Sequence, residues 1–92
     1  MPEVRFEVRF SDGREASCYS PSLVVRELLE PSVDYPLYEF MARARAALTI
    51  GAERVRAKYG FHCSAAMDQL GELERLSAHY DADALVRVLA YR

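Results

Sequence analysis

The chain has 92 residues, of which 51% are hydrophobic and 28% charged, and its formal net charge is −2. A chain of that length makes one domain that buries about 60 to 65% of its unfolded surface, which leaves little room for an enclosed active site and makes a second subunit useful. The hydrophobic content excludes a disordered chain, no apolar run approaches the ~20 residues of a membrane span, and the slight acidic excess argues against nucleic-acid binding in the bulk.

The start, Met-Pro-Glu-Val-Arg, has no basic segment followed by an apolar one, so no secretory signal is read there and the expected location is cytoplasmic. Val4, Phe6, Val8 and Phe10 alternate with Glu3, Arg5, Glu7 and Arg9, the period-2 pattern of a strand with one buried face. Asp12-Gly13 then predicts a tight hairpin, with a partner strand over about Arg14 to Tyr19 whose weak apolar content suits a sheet edge. Ser20 followed by Pro21 predicts the start of a short helix running to about Leu29, burying Leu23, Val24, Leu28 or their neighbours. Pro31 to Tyr35 reads as a loop, with Asp34 positioned to cap the next helix.

That next helix, Pro36 to Tyr59, organises the chain. At 100° per residue, Leu37, Phe40, Met41, Ala44, Leu48, Ala52, Val55 and Tyr59 share one core-facing sector. Arg43 and Arg54 lie on one flank with Lys58 nearby, and Arg45 and Arg56 lie on the other. The back carries Ala46, Ile50 and Ala57 with Glu53 alone among them, although an ordinary surface helix is densely charged there. Gly60 suits the left-handed position that ends the helix. A third helix is expected from Cys63 or Ser64 to about His79, with an apolar stripe of Ala66, Leu70, Leu73, Leu76 or Ser77, and Tyr80, and with Asp68, Glu72 and Arg75 on the opposite face. Gly71 falls on its outer side, as slack or as a site of close backbone approach. Leu85 to Tyr91 reads as a closing strand beside the first. The expected fold is therefore a single α+β domain over residues 1–92. Its three-stranded, mainly antiparallel sheet (β-β-α-α-α-β along the chain) carries one long and two shorter helices on one face.

Charge is unevenly distributed. Between Arg43 and Lys58 five basic residues meet only Glu53, a local +4, and between Asp68 and Asp83 five acids meet only Arg75, a local −4. Two readings compete: neighbouring helices whose fields offset, or a basic face on one subunit that meets an acidic face on another. No basic tail or aromatic platform accompanies the arginines, so direct nucleic-acid recognition is not expected.

Chemistry is sparsely marked. Cys63 at a helix N-terminus would see the helix dipole, which favours thiolate, and His62 adjoins it; the competing reading of Cys63 is a small buried hydrophobe. Cys18 and Cys63 are expected to be free thiols. The spacing of Cys18, His62, Cys63 and His79 matches no zinc pattern, and no glycine-rich phosphate loop or nucleophile elbow is present, so no metal or cofactor is expected. Arg45 and Arg56 with Thr49 could hold a small anion, or could be a solvated helix edge whose stems cover the core.

Two tracts carry a resemblance: Cys18-Tyr-Ser-Pro-Ser-Leu-Val24, and the run from Arg43 through Arg54, Arg56, Gly60, Cys63 and Met67 to Leu70. Together with the Met-Pro-Glu start and the Asp-Gly turn, they are similar to a family of small bacterial nitrogen-starvation-response proteins. That resemblance implies a gene context with a nitrilase, a radical-SAM protein, an acyltransferase and a flavin oxidoreductase, and hence an accessory role in nitrile or cyanide assimilation. It carries no catalytic residue onto this chain. The expected function is a non-enzymatic cytoplasmic accessory protein, a homodimer or a partner of a co-encoded protein, binding through a surface that includes Arg43, Ile50 and Arg54. The alternative is a small thiol-dependent enzyme or anion carrier that uses Cys63, His62 and the helix arginines.

Overall fold

The computed structural model describes residues 3–61 and 64–92. Strand β1 (Val4–Phe10) buries Val4, Phe6, Val8 and Phe10 and exposes Arg5 and Arg9, as its alternation predicts. The Asp-Gly turn leads into β2 (Glu15–Ser20), which pairs antiparallel with β1 and forms a sheet edge. Its buried face carries Cys18. The closing strand β4 (Leu85–Tyr91) pairs antiparallel with the other side of β1, and a register shift opposite Glu7 and Val8 lets both Val88 and Tyr91 reach the core side.

The sheet has four strands, not the expected three. Asp34–Pro36 (β3) pairs antiparallel with β4, giving the order β2-β1-β4-β3. This segment looks like a loop in sequence because it is three residues long and ends in proline. A proline that lacks a donor N–H is tolerated on an outer strand, which is where β3 lies. The side chain of Asp34 is also not a helix cap: its carboxylate accepts both Nε (2.8 Å) and an Nη (2.9 Å) of Arg87 across the strand pair.

The short helix is shorter than expected. Helix α1 spans only Val25–Leu28 and has no side-chain cap. Ser20 and Pro21 do not start it, because the Ser20 hydroxyl donates to the carbonyl of Ser22 (2.8 Å) and Pro21 packs against the long helix. Val24, as expected, takes a core position together with Val25 and Leu29, Leu28 packs half-buried against them, and Leu23 stands 41% exposed.

The long helix α2 (Leu37–Tyr59) is continuous over 23 residues, about 34 Å at 1.5 Å per residue and close to the molecule's longest dimension of 39 Å. Its first N–H groups are satisfied by the 82–84 loop, through Leu37 N–H to the Ala84 carbonyl (2.8 Å) and Tyr38 N–H to that of Ala82 (2.9 Å). Gly60 ends it in a left-handed conformation, φ 78°. Apart from Tyr59, the predicted seam is buried, and Ala47 and Gly51 join it. Helix α3 (Ser64–Ser77) follows, with Ala66 and Leu73 in the core and Asp68, Glu72 and Arg75 exposed, as its stripe predicts. Beyond it, Tyr80 stacks on Phe10 at 4.8 Å and donates its hydroxyl to Asp12 (2.8 Å), pinning the end of the helical layer to the hairpin tip. The helices cover one face of the sheet. No helix among the described residues is long and apolar enough to cross a membrane.

Candidate functional site

With its seam on the sheet, α2 presents two flanks and an outer face. On the α1 flank, Arg43 donates from Nη1 to the Leu28 carbonyl (2.9 Å) and from Nε to Glu39 (3.0 Å), and its guanidinium lies 5.1 Å from the ring centre of Tyr35. Arg54, eleven residues on, donates from Nη1 to the buried Ser22 hydroxyl (3.0 Å). Between them Gly51 meets Pro21 so closely that a Cβ there would sit 2.9 Å from the proline Cγ. Arg43, Gly51 and Arg54 thus grip the segment that leads from β2 through α1 to β3. Such guanidinium contacts, planar and multidentate, suit arginine better than lysine.

The other flank faces α3. Arg45 reaches Glu74 at 3.5 Å, with both side chains about half exposed, and Thr49 and Arg56 are exposed on the same side. The basic and acidic segments of the sequence are therefore neighbours in space, and their fields offset where Arg45 meets Glu74. An exposed pair of this kind contributes about 1 kcal/mol or less.

The outer face is exposed along its length. Ala42, Ala46 and Ala57 are open to solvent, Ile50 is 38% exposed and Tyr38 63%. Glu53 is the acid among them, with Glu39 at the N-terminal end. Past the C-terminal end of α2, Phe61 is 61% exposed and its ring lies 5.8 Å from that of Tyr59.

The two cysteines differ. Cys18 is fully buried, and desolvation, reinforced by the carboxylates of Glu7 and Glu72, pushes its thiol up to about 12. A thiol so placed stays protonated at neutral pH and cannot act as a nucleophile. His62 and Cys63, the candidate reactive pair, lie outside the described residues. His79 is exposed in the turn that follows α3.

Sequence reasoning missed one contact that shapes the surface. The Gln69 side chain accepts the backbone N–H of Tyr19 (2.9 Å), so α3 covers part of the β2 edge. Beside it lies an open groove of about 490 Å³, lined by Glu3, Arg5, Tyr19, Asp68, Gln69 and Glu72. Its three carboxylates against one guanidinium would suit a cationic group. The only signal in the sequence is the polar Gln69 beside the apolar stripe of α3, which does not reveal its strand partner.

The two tracts singled out in the sequence meet here. Pro21 and Ser22 of the first touch Gly51 and Arg54 of the second, and Tyr19 of the first is bonded by Gln69 of the second. A family model described as nitrogen starvation-induced protein NitG matches residues 5–91. Comparison with curated proteins and with solved structures gives no match.

Proposed function

The chain belongs to the nitrogen starvation-induced protein NitG family, and on that premise we propose that it is a non-enzymatic, cytoplasmic accessory protein of nitrile or cyanide assimilation, acting by binding protein. The observation that carries this reading is the outer face of α2. It runs the length of the molecule, exposes Ala42, Ala46, Ile50 and Ala57, and has little of the charge that normally keeps a solvated helix face solvated. The arginines Arg43 and Arg54 border this face on its α1 side. Arg43 and Arg54 are engaged by Leu28, Glu39 and Ser22, which gives them a packing role inside the chain.

Capture from nitrogen-starved cells tests the proposal. The tagged wild-type chain should retain a stoichiometric protein partner, either a second copy or a co-encoded protein. Ala46→Glu, an exposed substitution that costs the helix little, should release it, while Arg5→Glu on the opposite face of the sheet should not. Equal retention by wild type and Ala46→Glu would remove the outer face of α2 from the proposal.

A further inference from the structure

We infer that the outer face of α2, together with the adjoining Thr49 and Arg56 of its α3 flank, docks on the same surface of a second copy of this chain, with the two helices antiparallel about a two-fold axis. This rests on the interaction-surface reading above and names the occupant. Glu39, Ala42, Ala46, Thr49, Glu53 and Arg56 recur at spacings of 3, 4, 3, 4 and 3 residues, the spacing at which one helix lies along another, with small alanines at the centre and charges towards the ends. All of them are exposed or half-exposed in the single chain. The core seam on the other side of α2 is occupied by the sheet, so this second seam is the one left for another helix.

The charges select both the occupant and its direction. In an antiparallel pair centred between Ala46 and Thr49, Glu39 of each protomer lies opposite the partner's Arg56, Ala42 lies opposite the partner's Glu53, and Ala46 lies opposite the partner's Thr49. The surface is then complementary to itself, as a two-fold contact requires. A parallel pair in register would place Glu39 on Glu39, Glu53 on Glu53 and Arg56 on Arg56, each a repulsive contact. Ala42 and Ala46, both exposed, let the two backbones approach closely. A helix face about 34 Å long and ~12 Å wide buries on the order of 400 Å² per protomer, ~800 Å² in all, which is the size of a weak, reversible dimer.

Sedimentation equilibrium and native mass measurement on the full chain test this, with circular dichroism confirming that each variant keeps its helix content. The wild type should move with concentration from 10.5 kDa towards twice that mass. Glu39→Arg should weaken the dimer about 10-fold or more through the like charge it sets against the partner's Arg56, and Glu39→Arg combined with Arg56→Glu should restore it. The rescue is specific to the pairing between protomers, because the second change does not rebuild the Glu39–Arg43 ion pair within α2. Ala46→Glu should abolish the dimer. A wild type that stays monomeric up to about 1 mM, where even a weak contact of this size is populated, overturns the inference; so does a dimer indifferent to Glu39→Arg and Ala46→Glu, or a double variant that stays as weak as Glu39→Arg. A monomer whose capture of a different protein is lost with Ala46→Glu overturns the dimer alone. A monomer whose capture is indifferent to that change overturns both readings.

Discussion

Gly51 and Gly71 both sit inside helices, and their surroundings give them opposite roles. A Cβ at Gly51 would meet the Pro21 ring at 2.9 Å, so Gly51→Ala must push apart α2 and the segment that Arg54 also holds. We expect a loss of about 1–2 kcal/mol, overpacking outweighing the helix propensity gained. At Gly71 the nearest atom is the Arg75 guanidinium at 3.7 Å, so Gly71→Ala should raise stability by up to about 1 kcal/mol. Urea unfolding of the two variants reads both signs. Of the two alternatives the sequence left for Gly71, the structure favours slack, and the close approach occurs at Gly51. Cys18 gives a third expectation. With its thiol buried and pushed up to about 12, it should resist alkylation at pH 8 in the native protein and react on unfolding, as peptide mapping by mass can show. Ready native alkylation of Cys18 would contradict its burial.

Elements that declare themselves through local periodicity were legible. The alternation of β1, the Asp-Gly hairpin, the apolar seam of α2 and the stripe of α3 need only a few neighbouring residues to be recognised. β3 is different, because its identity depends on β4 about fifty residues later, and nothing in Asp34-Tyr-Pro36 announces that partner. The start of α1 is obscured for the same reason, since Pro21 and Ser22 are held by Gly51 and Arg54 of α2 rather than by the helix they precede. Within the candidate surface, sequence alone placed Arg43 and Arg54 on one flank of α2, but only their distant partners show that they grip α1 and its approaches. The Asp34–Arg87 contact makes β3 sensitive to acid. Its two charge-assisted hydrogen bonds hold the Asp34 carboxyl below the usual carboxylate range. Between the folded and unfolded values the unfolded chain binds more protons, so this contribution is present above about pH 4 and is lost as pH falls through the folded value. Asp34→Asn should therefore lower stability at neutral pH and flatten the acid limb of the stability curve. An unchanged acid limb would show that Arg87 does not favour the charged form.

Across the whole molecule, one 23-residue helix has two unlike sides. The sheet and the short elements cover one, and α3 shields a flank with Arg45 set against Glu74. The far side remains, poor in charge between Glu39 near one end and Glu53 towards the other, with Arg56 on the adjoining flank. That arrangement suits a small chain whose core is limited by its length and gains from a second surface to cover its long helix. The groove beside Gln69 and the aromatic pair at Tyr59 and Phe61 add local features, but neither spans the molecule as the α2 face does. The amide resonances of α2, followed as the protein is concentrated from about 10 μM to about 1 mM, the range over which a contact of this size assembles, report directly whether the outer face of α2 is covered. Progressive shifts are expected at Ala42, Ala46, Thr49 and Glu53, with the sheet residues Arg5, Arg9 and Arg87 unmoved. Stationary α2 resonances, or shifts confined to the sheet, would contradict that contact.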